Sequence, residues 1–176
     1  MVAECWVSER GLMKLQDQVV RLYEEARQDV YHYLLRLGLN PAHAQEGSQE
    51  VFLRLHTALT RGESIRNPRA WVFRVAHNLA VTQHAAGSRW MPLDPALEAT
   101  LTDRGPGPEG SAIQRQRTAR VSEALAELSP QQRRCLYLRA EGLKYREIAE
   151  TIGIGVSTVS QFLSRGITRL RRAIDE

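Results

Sequence analysis

The 176-residue chain has only two cysteines, Cys5 and Cys135, widely separated in sequence. That is too few for a disulfide framework or a zinc knuckle, so a reducing, cytoplasmic setting is expected. Cys135 lies in an apolar helical pattern and reads as a small core residue. No apolar run approaches the ~20 residues that cross a bilayer, and the N-terminus has acids where a signal peptide needs an apolar stretch. The five histidines, His32, His43, His56, His77 and His84, include no pair at the i, i+4 spacing of a helical metal site. A Glu-x-x-His unit, a G-x-x-x-x-G-K-[ST] phosphate loop and a G-x-S-x-G elbow are all missing. The chain is therefore not expected to be an enzyme, and no cofactor or metal is implied. No internal repeat or low-complexity tract is present either.

The charge that is present is unevenly spread. Residues 112–176 carry 12 Lys/Arg against 7 Asp/Glu, and residues 1–111 carry 12 against 13. The C-terminal part is thus the better candidate to bind a polyanion. Apolar residues recur at helical spacing. From Leu12 to Leu37, Leu15, Val19, Leu22, Tyr23, Ala26, Val30, Tyr33 and Leu34 form one stripe, and Gly38 ends it. Asn40-Pro41 is a cap followed by a first-turn proline, opening a second helix that runs to about Leu59. Its apolar face is Ala44, Val51, Phe52 and Leu55, while Gly47 weakens its middle by ~1 kcal/mol relative to alanine.

A polar loop over residues 60–66 precedes a second cap-plus-proline pair, Asn67-Pro68, and a third helix to about Ala86. The inner stripe of this helix is Val72, Val75, Ala76, Leu79 and Ala80. The rest of its surface combines Arg69, Trp71, Phe73, Arg74, His77 and Asn78, with Arg61 and Arg66 in the preceding loop. Cations that follow a backbone and flat rings that stack bases are what unpaired nucleic acid requires. Either ring taken singly is better explained by packing against the other helices; the composite surface is not.

Residues 87–111 hold seven of the chain's prolines and glycines between Pro92 and Gly110, after Gly87, and read as a flexible linker stiffened in places by proline. Helices resume over residues 113–128 and from Ser129-Pro130 to Gly142. The stretch from Lys144 to Ile152 is a short helix with Ile148, Ala149 and Ile152 on one face, and Gly153 stops it in a turn that glycine takes without steric cost. A last helix starts near Val156 and would bury Val159, Phe162, Leu163, Ile167, Leu170 and Ile174. Its other face presents Ser157, Thr158, Ser160, Gln161, Ser164, Arg165, Thr168, Arg169 and Arg172, with no acid among them. Short polar groups that reach base edges, followed by arginines for phosphates, suit a recognition helix in a major groove. Two helices at a glycine corner also occur in proteins that never touch DNA. The expected architecture is all-α, with a three-helix domain over 12–86, a linker over 87–111 and a four-helix domain with a helix-turn-helix over 112–176.

Four motifs in order resemble the extracytoplasmic-function (ECF) group of the sigma-70 family of bacterial RNA polymerase sigma factors. They are A-Q-E-G-S-Q-E-V-F-L-R-L (44–55), N-P-R-A-W-V-F-R-V-A-H-N-L-A (67–80), L-S-P-Q-Q-R-R-C-L-Y-L-R (128–139) and G-L-K-Y-R-E-I-A-E-T-I-G-I-G-V-S-T-V (142–159). The resemblance implies an N-terminal region 2-like domain that docks on the clamp helices of the largest polymerase subunit through Gln45, Glu46, Gln49 and Glu50. It implies capture of the promoter −10 element as single strand by Arg61, Arg66, Asn67, Trp71, Arg74 and Asn78. It further implies a region 4-like domain that reads the −35 duplex through Ser157, Thr158, Ser160, Gln161, Ser164, Arg165 and Arg169, resting on the flap of the other large subunit. The linker would pass near the RNA exit path, and an anti-sigma factor is among the implied partners. Three departures stand out: an amide at Gln45 where the family has an acid, Gly47 for a large aliphatic, and Ser160-Gln161-Phe162 for a Lys-Ser-Arg run. Two alternatives remain open on sequence. One is a stand-alone helix-turn-helix regulator, and the other is a sigma-like interaction protein without initiation activity. The first would leave the Trp71, Arg74 and Asn78 surface without a use, and the first 86 residues lack the strand–helix alternation of a receiver domain.

Overall fold

A computed structural model describes residues 9–85 and 112–175, all of whose regular structure is helical. The expected linker, residues 87–111, lies outside the described residues, as does Cys5. Three helices come first: α1 (Glu9–Arg36), α2 (Pro41–Thr60) and α3 (Pro68–Ala85). Four follow: α4 (Ala112–Ala126), α5 (Pro130–Ala140), α6 (Tyr145–Ile152) and α7 (Val156–Asp175). The expected all-α class and helix order are borne out, with ends shifted by one to three residues.

The starts are set by local chemistry. Asn40 Oδ1 accepts from the His43 N–H at 2.8 Å, and Pro41 occupies the first turn, where its missing N–H costs nothing. Ser129 and Gln132 form a reciprocal capping box at the start of α5. The stop at Gly153 is a left-handed C-cap, φ 78°, whose N–H donates to the Ala149 carbonyl.

The first three helices pack around Val30, Tyr33, Leu34, Val51, Leu55, Val72 and Phe73, all fully buried. Tyr23 meets Phe52 and Tyr33 meets Phe73 edge-on, with ring centroids 5.1 and 5.4 Å apart, the arrangement that aromatic quadrupoles favour. Gly47 and Ser48, which weaken α2 as an isolated helix, are both buried where α2 crosses α1. A Cβ at Gly47 would stand 3.1 Å from Leu34 Cδ1, and Ser48 Oγ donates to the Arg27 carbonyl.

In the second group, α6 and α7 form the helix-turn-helix over Leu138, Leu143, Ile148, Val159 and Leu163. Gly166 lets α7 approach α5, because its missing Cβ would lie 2.9 Å from Leu136 Cδ1. Ile167 and Ile174, expected on the buried side of α7, are exposed: the described residues leave the outer turns of that stripe uncovered.

The two groups also pack on each other. Their buried side chains form one continuous cluster, and α3 lies against α6. Phe73 and His77, assigned by periodicity to the outward polar face of α3, are buried, and both lie against Tyr33 of α1.

Candidate nucleic-acid interface

Loop and helix chemistry arrange the N-terminal surface. Asn67 caps α3, its Oδ1 accepting from the Ala70 N–H, which sets Trp71 one residue beyond the first turn. Trp71 is half-buried against the core, while Arg61, Arg66, Arg74 and Asn78 are exposed. Arg74, Asn78 and exposed Val81 fall at spacings of four and three and make one outward stripe. Val81 is an addition to the sequence-derived set, and the alternating 4–3 spacing was the available signal. These groups could hold a phosphate backbone by charge and offer an indole edge and an amide to splayed bases.

That surface is not open to solvent on all sides. Glu63, Arg66, Asn67, Trp71 and Arg74 form one wall of a groove of about 430 Å³, and Arg146, Glu147, Glu150 and Thr151 of α6 form the other. Asn67 Nδ2 donates to Glu147 Oε1 at 2.7 Å across it. At its edge Arg69 bridges the modules. Its guanidinium donates to Asp29 Oδ2 at 2.9 Å, to Glu141 Oε2 at 2.7 Å and to the Glu141 carbonyl at 2.9 Å. Both carboxylates are largely buried, with side chains 9% and 10% exposed. Sequence reasoning counted Arg69 among surface bases. Its partners lie 40 and 72 residues away, so nothing local indicated them.

Behind this face, Tyr33 Oη and His77 Nδ1 are 3.0 Å apart and buried. Burial first, and then the positive charge of Arg134, lower the His77 pKa to about 4, so the ring is neutral. Burial raises the Tyr33 hydroxyl well above its ordinary range, which leaves it protonated and able to donate to Nδ1. Burial likewise pushes the Cys135 thiol up to about 11, consistent with an inert core cysteine.

On α7, Ser157, Ser160, Gln161, Ser164 and Arg165 are exposed, and Thr158 is half-buried. Arg169 is exposed too, but it is ion-paired with Glu127 at the end of α4. A groove of about 920 Å³ runs between α4 and α7, with Arg120, Arg165 and Arg172 on its walls. The structure thus groups the α7 set on one face and turns Arg169 toward its rim.

The third surface is the outer side of α2. Gln45, Glu46 and Gln49 are exposed, and Glu50 accepts from Arg54 Nε at 2.7 Å. Leu53, 64% exposed, continues the same face at helical spacing. An apolar side chain among acids and amides is what the centre of a protein–protein contact looks like. Among the described residues no group of three or more His, Cys, Asp or Glu could hold a metal ion, and no helix is long and apolar enough to cross a membrane.

Family models for sigma-70 region 2 and sigma-70 region 4 match residues 22–89 and 118–170. The ECF RNA polymerase sigma factor SigL of Mycobacterium tuberculosis is 30% identical over 162 residues, covering 88% of each chain. The ECF RNA polymerase sigma factor BldN of Streptomyces coelicolor is 29% identical over 173 residues, 96% of this chain and 64% of that protein's length. Among solved structures, the sigma factor RpoE of Bartonella quintana, in complex with the anti-sigma factor NepR, matches with a TM-score of 0.59. That match has 20% identity and covers 89% of this chain and 96% of the other, a likeness of fold.

Proposed function

The chain belongs to the ECF group of the sigma-70 family, the factors that direct transcription initiation by RNA polymerase, and we propose how its surfaces divide that work. The outer face of α2, with Gln45, Glu46, Gln49, Glu50 and Leu53, docks on the clamp helices of the largest polymerase subunit. Arg61, Arg66, Asn67, Trp71, Arg74 and Asn78 take up the −10 element as unpaired strand. The outer face of α7, led by Ser157, Thr158, Ser160, Gln161, Ser164 and Arg165, reads the −35 duplex, while Arg169 contributes from the edge of that face. The chain makes and breaks no covalent bond in this scheme. It supplies binding free energy that favours unstacked DNA over duplex, and the polymerase supplies the chemistry. An anti-sigma factor, the class of partner present in the Bartonella complex, is proposed as a partner on family membership alone.

The observation that carries the reading is the exposed row Arg74–Asn78 beside half-buried Trp71, on a helix whose other sides are packed. A stand-alone duplex reader has no use for such a row. The test is to add the purified chain to bacterial core polymerase with a library of genomic promoters and to map transcript 5′ ends. Start sites that share upstream elements and vanish without the chain are expected. Tight duplex binding with no polymerase dependence would identify a free-standing regulator instead. Polymerase binding without transcripts would identify an interaction protein.

A further inference from the structure

We propose that Gln161 of α7 sets the sequence choice of the duplex reader by demanding an adenine in the −35 element. The inference rests on the assignment of the outer α7 face to that duplex.

The rotation of α7 is set by what it buries. Val159 and Leu163 are fully buried, and the first turn is held by the Val159 N–H, which donates to the Gly155 carbonyl at 3.0 Å. Gln161 lies midway between these two in sequence, and at about 100° per residue it points roughly opposite both. Ser157, Gln161, Ser164 and Thr168, at spacings of four, three and four, form the central row of the outward face, and all are exposed. Three of these side chains are short hydroxyls, which let the helix come close to base edges. Gln161 is the one long side chain in the row, and the one that carries a donor and an acceptor in a single plane. Among the described residues nothing takes up its amide. Asn67, by contrast, spends its amide on Glu147 and the Ala70 N–H, and Gln132 spends its own on the α5 cap. The leading turns of α7 carry no charge: Phe162 is half-buried against the core, and the first cation is Arg165, a turn beyond Gln161.

In a major groove the four bases ask different things of such an amide. Adenine presents the N7 acceptor beside the N6 donor, so the Gln161 NH2 donates to N7 while its carbonyl oxygen accepts from N6–H. Guanine presents two acceptors, N7 and O6, and would set one of them against the amide oxygen. Thymine offers an acceptor alone and cytosine a donor alone, one bond each. Only adenine satisfies both ends, and a group left half-paired as water leaves the groove weakens the wrong sequence.

The experiment assembles the full chain with core polymerase and a duplex library randomised across the −35 element, and sequences the bound fraction; the free chain is run in parallel. One position fixed as adenine is expected for the parent. Gln161→Ala, which places a strong helix former at an exposed site, should lose the preference at that position alone. Gln161→Arg should turn it to guanine. Replacing that adenine by 7-deazaadenine, which lacks the N7 acceptor, should weaken the parent roughly tenfold and Gln161→Ala less than about twofold. The proposal is overturned if the position that responds to Gln161 holds another base, or if Gln161→Ala selects the same sequences as the parent. It is equally overturned if that variant weakens all sequences alike, or if the parent binds 7-deazaadenine as well as adenine. Adenine selection that depends on Gln161 but not on polymerase would uphold the reader while removing the sigma-factor assignment. Polymerase-dependent selection indifferent to Gln161 would remove the reader alone, and a chain that enriches no sequence in either arm would overturn both.

Discussion

The neutral imidazole of His77 has a measurable consequence for stability. Its pKa is about 4 in the folded chain against 6.5 for an exposed histidine, so between these values the unfolded state binds more protons. Stability from this residue is complete above pH 6.5 and is lost as pH falls toward 4, by on the order of 3 kcal/mol at the lower end. His77→Gln offers Tyr33 an acceptor and cannot be protonated. Chemical denaturation between pH 7 and 4.5 should give a shallower acid-side decline for the variant than for the parent; parallel curves would contradict the assignment. His77 also marks a limit of the sequence reading. Periodicity placed it on the outer surface of α3 because its hydrogen-bond partner Tyr33 and the charge of Arg134 that acts on it belong to distant segments. The signal that was present is the distribution of apolar and aromatic residues around most of α3, which suits a helix packed on more than one side.

At the level of the helix, what was legible is what local chemistry decides. Asn40-Pro41, Asn67-Pro68 and Ser129-Pro130 start helices, and Gly153 ends one, because caps and turns depend on neighbours in sequence. The meaning of Gly47 was not legible, since only the crossing of α1 over α2 shows Leu34 against it. The same helix bears the face proposed to dock on polymerase, where Leu53 had no separate signal because a single apolar residue beside Phe52 reads as part of the core stripe. Its exposure makes a clean test possible. Leu53→Glu should leave the melting temperature within about 2 °C, as surface substitutions do, yet weaken binding to core polymerase at least roughly tenfold, as loss of an apolar anchor does. Unchanged polymerase affinity would place the docking contact elsewhere on the chain.

Across the whole molecule, family, helix content and the division into two helical groups followed from motif order and spacing. The contact between the groups did not. Its polar part is made by Arg69, Asn67, Glu141 and Glu147, whose pairing has no periodic signature, and the contact turns a surface that reads as open into one wall of a groove. The central claim is the proposal that the face of Arg74 and Asn78 takes up the −10 element as unpaired strand, and the reactivity of −10 thymines toward permanganate in complexes of the chain, core polymerase and a mapped promoter tests it most directly. Arg74→Ala and Asn78→Ala, both at exposed positions, should suppress that reactivity severalfold while polymerase affinity is unchanged. Full reactivity in both variants, or loss of polymerase binding in step with it, would contradict the assignment of this face to strand opening.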